Sequence, residues 1–145
     1  IHSRRLYRER FVCLLRQGHP VLKKGLDLAA WTSLRHILIT PRGTAGGVVD
    51  DTLAALGKRR HVALAVPHFL LAPHVVAGTD SIVTLGARVA EAFARLLPLC
   101  VVEPPVKLPT FEVLLYWHER HHRDPAQQWF RAAVRDAAAL SASGG

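Results

Sequence analysis

Short runs of consecutive apolar residues alternate along the chain with segments in which apolar residues recur every three or four positions. Uninterrupted runs of about four to eight residues are typical of strands buried on both faces, and the spaced pattern is typical of helices that pack on one side. The runs predict strands at residues 11–15, 36–40, 60–66, 81–85, 99–102 and 111–117. The spaced segments predict helices at residues 26–34, 46–56, 69–77, 87–97 and 125–140.

Strands that alternate with helices indicate an α/β fold, in which helices cover both faces of a mostly parallel sheet. Asp124 and Pro125 suit the N-cap and the first position of the last helix. Residues 141–145 are expected to fray. Ligands of such folds bind at the carboxyl ends of the strands, beside the N-termini of the helices. In this chain those places are residues 40–47, 67–69 and 86–88.

The composition narrows the class of protein. The chain has 145 residues, of which 50% are hydrophobic, so it can form one ordinary domain or two very small lobes. Proline and histidine interrupt the longest apolar stretch, so we expect no membrane helix.

Cys13 and Cys100 lie far apart within apolar runs, which favours buried thiols in a reducing cytoplasm over a disulfide. The absence of methionine suggests a portion of a longer protein. The net charge of +8 permits nucleic-acid or anion binding without establishing either.

The segment from His118 to His122 fits the H-E-x-x-H pattern of zinc proteases. That pattern binds zinc because one helical turn places both histidines on the same face. Here the preceding residues predict a strand, and Asp124 and Pro125 begin a new helix two residues later. We therefore favour an exposed strand end over a zinc site, and we expect no metal and no other cofactor. No nucleophile–base pair stands out, so the sequence does not predict an enzyme.

Two loops at predicted strand ends carry candidate ligand-binding residues. The glycine-rich segment from Thr40 to Gly47 can turn backbone N–H groups towards an anion, although a plain tight turn explains it equally well. Pro67, His68 and Phe69 close one strand and open a helix, where a histidine can donate a hydrogen bond and an aromatic ring can stack on a flat ligand. The alternative is a helix cap with Phe69 in the core.

Several stretches, in order and at the right separations over about residues 9–138, resemble the effector-binding domain of LysR-type transcriptional regulators. They are Phe-Val-Cys-Leu-Leu-Arg-Gln-Gly-His-Pro at 11–20, Asp-Asp-Thr-Leu-Ala-Ala-Leu-Gly at 50–57 with Arg60, Val-Pro-His-Phe at 66–69, Val-Ala-Gly-Thr-Asp-Ser-Ile-Val-Thr-Leu at 76–85, Leu-Pro at 108–109, and Trp117-His118 followed by Asp124-Pro125, Trp129 and Arg131. Two of them, the Val-Pro-His-Phe stretch and the Trp-His to Trp129 stretch, look most like the branch that senses aromatic acids or flavonoids in degradation and nodulation pathways.

The resemblance implies two Rossmann-like lobes of the type-2 periplasmic-binding-protein kind, joined by crossing strands. It places lobe two at residues 18–102. It assigns residues 1–17 and 103–140 to lobe one, with the predicted strand at 11–15 and the C-terminal helix among them. The winged helix-turn-helix, the linker helix and the first half of lobe one would lie outside this chain.

The resemblance also implies a binding function, in which a small, flat, anionic or aromatic effector occupies the cleft between the lobes. The residues predicted to hold it, because both segments lie at the carboxyl ends of strands, are Thr40, Arg42, Thr44, Gly46, Pro67, His68 and Phe69. The helix at 69–77 and the strand after it are implied to form a dimer interface through Leu70, Leu71, Val75 and Val76.

The partners implied by the resemblance are a small-molecule effector, DNA through the absent helix-turn-helix, further copies in a homodimer or homotetramer, and RNA polymerase, with no membrane. A periplasmic-type solute-binding protein is the main alternative, because it shares the lobe architecture. The absence of a signal peptide and the unpaired cysteines count against it. A zinc hydrolase would depend on the H-E-x-x-H segment alone.

Overall fold

The computed structural model describes residues 1–44 and 46–143, and side chains as far as residue 141. The chain forms two compact units. The first contains Ile1–Glu9 and the chain from Thr110 onward, and the second contains Arg10–Pro109. The six predicted strands and five predicted helices all form in this structure, with ends shifted by a few residues.

A five-stranded sheet forms the centre of the second unit. Its strands are β2 (Phe11–Arg16), β3 (Arg35–Ile39), β4 (His61–Val66), β5 (Ile82–Gly86) and β6 (Leu99–Val102). The strand order is β4-β3-β5-β2-β6. β3 is parallel to both β4 and β5, whereas β2 is antiparallel to its neighbours β5 and β6. The α/β prediction is confirmed, and the sheet is mixed because β2 alone runs against the other strands.

Two apolar cores cover the two faces of this sheet. Val12 and Leu14 of β2 belong to one core, and the alternate residues Cys13 and Leu15 belong to the other. Successive side chains of a strand point to opposite faces, so burial on both faces explains the uninterrupted apolar run. The helices around the sheet are α1 (Val21–Lys24), α2 (Leu28–Ser33), α3 (Val48–Ala55), α4 (Leu71–Ala77) and α5 (Ala87–Leu96).

Residues 11–15, which the resemblance assigned to lobe one, lie in the second unit of the structure. β2 lies inside the five-stranded sheet, hydrogen-bonded between β5 and β6, and its four central residues, Val12–Leu15, are buried there. A strand in a central position shares its backbone hydrogen bonds and its core with the strands beside it. It therefore belongs to the second unit, although it precedes the rest of that unit in sequence.

The first unit consists of a two-stranded antiparallel sheet, a 3-10 helix and a long α-helix. Its elements are β1 (His2–Glu9), β7 (Phe111–Trp117), the 3-10 helix Glu119–His121 and α6 (Pro125–Ser143). The sequence did not predict β1, because its arginine-rich composition lacks an apolar run. Helix α6 continues through Ser143, so residues 141–143, which were expected to fray, are helical. Among the described residues, no hydrophobic side chain of this unit is buried.

Asp27 caps α2, and its carboxylate accepts a hydrogen bond from the backbone N–H of Ala30 at 2.8 Å. We expect Asp27→Ala to lower the free energy of unfolding by about 1 kcal/mol, because an N–H group at the helix start loses its partner. Asp27→Ser, which keeps a capping oxygen, serves as the control. Urea denaturation of both variants measures the difference, and equal losses would show that the cap contributes nothing.

Candidate functional site

The loop after β3 lines an open cleft of about 350 Å³. The lining residues are Ile39, Thr40, Pro41, Arg42, Thr44 and Gly46. The hydroxyl of Thr40 donates to the carbonyl of Thr44 at 2.9 Å, and the N–H of Gly43 donates to the carbonyl of Thr40 at 3.1 Å. Gly43 and Gly46 have φ values of 67° and 83°, which favour glycine. Ala45, in the middle of the segment predicted to bind an anion, lies outside the described residues.

The segment Pro67–Phe69 follows β4, so it lies at the same edge of the sheet as the loop after β3. The backbone N–H of Thr40 donates to the carbonyl of Val66 at 2.8 Å, which fixes the starts of the two loops side by side. Pro67, His68 and Phe69 are exposed, and none of them lines the cleft. The structure therefore brings the two predicted segments next to each other but builds the cleft from the first alone. Phe69, half exposed, does not lie in the core.

Helix α3 begins just after the glycine-rich loop, but an aspartate of the chain itself already occupies its N-terminus. The carboxylate of Asp50 accepts a hydrogen bond from the backbone N–H of Gly47, the N-cap residue. The guanidinium of Arg60 donates to both oxygens of the same carboxylate, at 2.9 Å and 2.7 Å. These hydrogen bonds from Arg60 are the main reason that the pKa of Asp50 lies below its ordinary value. A ligand anion would have to compete with Asp50 for this helix end.

Arg60 connects Asp50 to a buried histidine. The Arg60 side chain is 3% exposed. Its Nη1 atom, which does not bind Asp50, lies 3.5 Å from Nδ1 of His36. On the other side of the ring, Nε2 of His36 donates to the carbonyl of Trp31 at 2.7 Å. The pKa of His36 is lowered to about 4, mainly by burial and to a smaller extent by the positive charge of Arg60. The neutral ring with its proton on Nε2 is the form that satisfies both neighbours.

Arg42 is the exposed cation of the cleft. Among the described residues, no carboxylate lies within ion-pair distance of its guanidinium. The Thr40 hydroxyl, by contrast, donates its hydrogen to Thr44 and can only accept a hydrogen bond from a ligand. The chemistry of the cleft therefore centres on Arg42, with Thr40 holding the loop in shape.

Sequence reasoning missed the Asp50–Arg60–His36 network, although Asp50 and Arg60 were among the residues that carried the family resemblance. The sequence does contain an indication of this network, namely Arg60 at the start of an apolar strand. An arginine that becomes buried in such a position requires a partner of opposite charge. The identity of that partner depends on how α3 lies on the sheet, which the sequence pattern does not specify.

The H-E-x-x-H segment folds as a strand end and a 3-10 turn, as the sequence analysis favoured. His118 caps the turn, and its Nδ1 accepts a hydrogen bond from the backbone N–H of Arg120 at 3.1 Å. Glu119 is hydrogen-bonded to His2, and Nδ1 of His122 accepts a hydrogen bond from the Trp117 indole at 3.1 Å. The described residues contain no group of three or more histidine, cysteine, aspartate or glutamate side chains placed to hold a metal ion.

Cys13 is fully buried, and its sulfur lies 3.4 Å from the hydroxyl oxygen of Thr84. Burial raises the pKa of this thiol to about 11. A thiol that stays protonated at neutral pH is a poor nucleophile, so Cys13 acts as a small core residue.

The four residues predicted to form a dimer interface differ in exposure. Leu70 and Leu71 are 69% and 49% exposed, and Val75 is partly buried. Val76 is fully buried in the core of the second unit, so its side chain is not available on the surface of this unit. The strand after α4, β5, lies between β3 and β2 and has no free edge. The strand with a free edge near Leu70 and Leu71 is β4, where Leu64 is 41% exposed.

Comparison with known proteins identifies the kind of domain. The LysR substrate binding domain model matches residues 1–139. The HTH-type transcriptional regulator SyrM 1 of Sinorhizobium fredii is 42% identical over 142 residues, which are 97% of this chain and 42% of that protein. The HTH-type transcriptional activator NahR of Pseudomonas putida is 35% identical over 134 residues, which are 92% of this chain and 45% of that protein. The chain spans less than half the length of these relatives.

Solved structures agree with the sequence relatives. The regulatory domain of MexT, a transcriptional activator in Pseudomonas aeruginosa, has a TM-score of 0.75 and 29% identity, and the match covers 92% of this chain and 64% of that one. The BenM effector binding domain with its effector benzoate has a TM-score of 0.58 and 17% identity, covering 91% and 64%. Structures of this kind share a periplasmic-binding-protein-like fold.

None of the described helices is both long enough and apolar enough to cross a membrane. The chain belongs to the LysR substrate-binding domain family.

Proposed function

We propose that this chain is the ligand-sensing part of a cytoplasmic LysR-type transcriptional regulator. The observation that supports this most strongly is the family match over residues 1–139, together with an arginine-bearing cleft at the carboxyl edge of a parallel pair of strands. Binding rather than catalysis is the function, because the cleft offers no nucleophile–base pair among the described residues. The family match disfavours the alternative of a periplasmic solute-binding protein.

The proposed effector is a small aromatic carboxylate. Arg42 would contact the carboxylate, the loop around Thr40, Thr44 and Gly46 would shape the cleft, and Pro67–Phe69 would lie beside it. The BenM domain, which has this fold and was solved with benzoate, gives a precedent for a ligand of this class. The charge of Arg42 has no carboxylate partner among the described residues, which leaves it available to an anion.

We expect Arg42→Ala to weaken the binding of an aromatic carboxylate by about ten- to a hundredfold. The loss of one hydrogen bond between charged groups corresponds to roughly 1.5–3 kcal/mol. Isothermal titration calorimetry with a series of benzoate derivatives measures the effect, and His68→Ala tests the neighbouring segment in the same way.

Arg59→Ala is the matched control, because Arg59 is also exposed but precedes β4 and so lies towards the opposite edge of the sheet. It should bind like the wild type. If no carboxylate binds, or if Arg42→Ala and Arg59→Ala have the same effect, the proposed site is wrong.

We further propose that the whole regulator binds DNA through a helix-turn-helix, assembles as a homodimer or homotetramer and acts on RNA polymerase. The surface proposed for assembly is the exposed edge of β4 together with Phe69, Leu70 and Leu71, since a monomer would leave the apolar area of these side chains exposed to water.

A further inference from the structure

A second cavity, of about 150 Å³, lies entirely within the first unit, where β1, β7 and α6 meet. Its lining residues are Arg4, Leu115, Trp117, Gln128, Arg131, Ala132 and Arg135. None of them lines the cleft described above, although Trp117 and Arg131 are among the residues that carried the family resemblance. Three of the seven are arginines, which is unusual for a space between a sheet and a helix, where apolar side chains normally meet.

The backbone geometry explains why these side chains converge. In the antiparallel pairing of β1 with β7, Arg4 lies opposite Leu115 and His2 lies opposite Trp117, so these residues share one face of the sheet. On α6, residues 128, 131, 132 and 135 follow the i, i+3, i+4, i+7 spacing of a single helix face. The face of α6 that lines the cavity therefore carries Gln128, Arg131 and Arg135, with Ala132 as its apolar member.

Arg131 is held rigidly at the wall of the cavity. Its two terminal nitrogens donate to the backbone carbonyls of His121 and His122, at 3.1 Å and 2.9 Å. Its guanidinium carbon lies 4.7 Å from the centre of the Trp117 ring, in a cation–π contact. A guanidinium has five N–H donors, so this arrangement leaves further donors for a ligand while fixing their direction.

The charges in this cavity are not balanced. Arg135 pairs with Asp136, but no carboxylate of a described residue lies within ion-pair distance of Arg4 or Arg131. Two cations at one cavity repel each other and attract an anion, which would relieve that repulsion. Leu115, Trp117 and Ala132 supply an apolar wall beside the cations. A cavity of about 150 Å³ is the size that accepts benzene in other proteins.

We propose that this cavity binds a small organic carboxylate. The oxygens of the ligand would contact Arg4 and Arg131, and the apolar part of the ligand would lie against Leu115. The apolar part is no larger than a single six-membered ring. This site is separate from the cleft around Arg42, since the two lie in different units of the chain and share no residue. Its existence does not depend on the function proposed above.

The test is a titration of the ¹⁵N-labelled chain with benzoate, followed at the indole N–H resonance of Trp117. Trp117→Phe assigns that resonance. We expect benzoate to shift the Trp117 resonance. The Trp31 resonance, which belongs to the second unit, should stay in place. Benzamide, which has the same shape without the charge, should have no effect, and inorganic phosphate should bind at least tenfold more weakly than benzoate. Equal binding of phosphate, or a response to benzamide, would overturn the proposal.

Variants then assign the residues. We expect Arg4→Gln to weaken the Trp117 response to benzoate about tenfold or more, because it removes one of the two cations. Arg5→Gln is the matched control, since Arg5 is the next residue on β1 and pairs with Glu112 at 3.0 Å, away from the cavity. Arg42→Ala should leave the Trp117 response unchanged, which separates this site from the cleft. An unchanged response in Arg4→Gln would exclude the proposed site even if benzoate binds elsewhere.

Discussion

Replacing Asp50 by alanine is expected to lower the free energy of unfolding by about 3 kcal/mol, which corresponds to about 6–12 °C in melting temperature. The reason is the burial of its partner. Asp50 is bound through both oxygens to Arg60, whose side chain is 3% exposed. Without the carboxylate, a guanidinium charge remains buried with no counterion, and the N–H of Gly47 at the start of α3 loses its acceptor.

Asp51→Ala provides the control for this experiment. Asp51 is the next residue in the first turn of α3, carries the same charge and is exposed. Its removal should cost no more than about 1 kcal/mol, the usual contribution of a charge near a helix N-terminus. A double variant, Asp50→Ala with Arg60→Met, should be more stable than Asp50→Ala alone, because it no longer buries an unpaired charge. Equal stability of the Asp50 and Asp51 variants in urea denaturation would contradict this interpretation.

Acidification from pH 7 to pH 4 is expected to destabilise the second unit by about 3 kcal/mol through His36 alone. The folded chain holds the pKa of His36 at about 4, against an ordinary value of 6.5. Each pKa unit corresponds to about 1.36 kcal/mol. Between these two pH values the unfolded chain binds more protons than the folded chain, so stability is complete above pH 6.5 and is lost as the pH falls towards 4.

Urea denaturation at a series of pH values measures this dependence, and His36→Gln should flatten it. The pKa of Asp50 lies below its ordinary value of 3.8, so the folded chain keeps this carboxylate charged over the same range, and most of the stability that it contributes is lost only below pH 4. The imidazole resonances of His36 in the wild-type protein give a second measurement that needs no variant. If they titrate near pH 6.5, the histidine is not held neutral by its burial and by the charge of Arg60, and the prediction is wrong.

The sequence predicted the parts of this fold that depend on local pattern. The apolar run at 36–40 and the helix after it are features of neighbouring residues, and both form where expected. The neighbouring positions of the loops after β3 and β4 follow from parallel pairing, since parallel strands end at the same edge of a sheet. This is why Thr40 and Pro67 could be placed together before the structure was known.

The features that escaped prediction depend on contacts between distant residues. β1 has no apolar run, and it forms because β7, more than a hundred residues later, supplies its hydrogen bonds. The antiparallel direction of β2 leaves no mark on its own sequence, since a strand buried on both faces is apolar whichever way it runs. The pairing of Asp50 with Arg60 and the cations around Trp117 likewise arise from the way that helices lie on the sheets.

The position of β2 also determines the order in which the chain can fold. During synthesis β2 emerges early, but its partners β5 and β6 begin only at Ile82 and Leu99. Until then the apolar residues 12–15 have no strand on either side. Pairings between residues so far apart in sequence form slowly, because the intervening chain must be ordered first. The nascent chain therefore carries an unpaired apolar strand while most of the second unit is being synthesised, and an exposed strand of this kind is prone to aggregation.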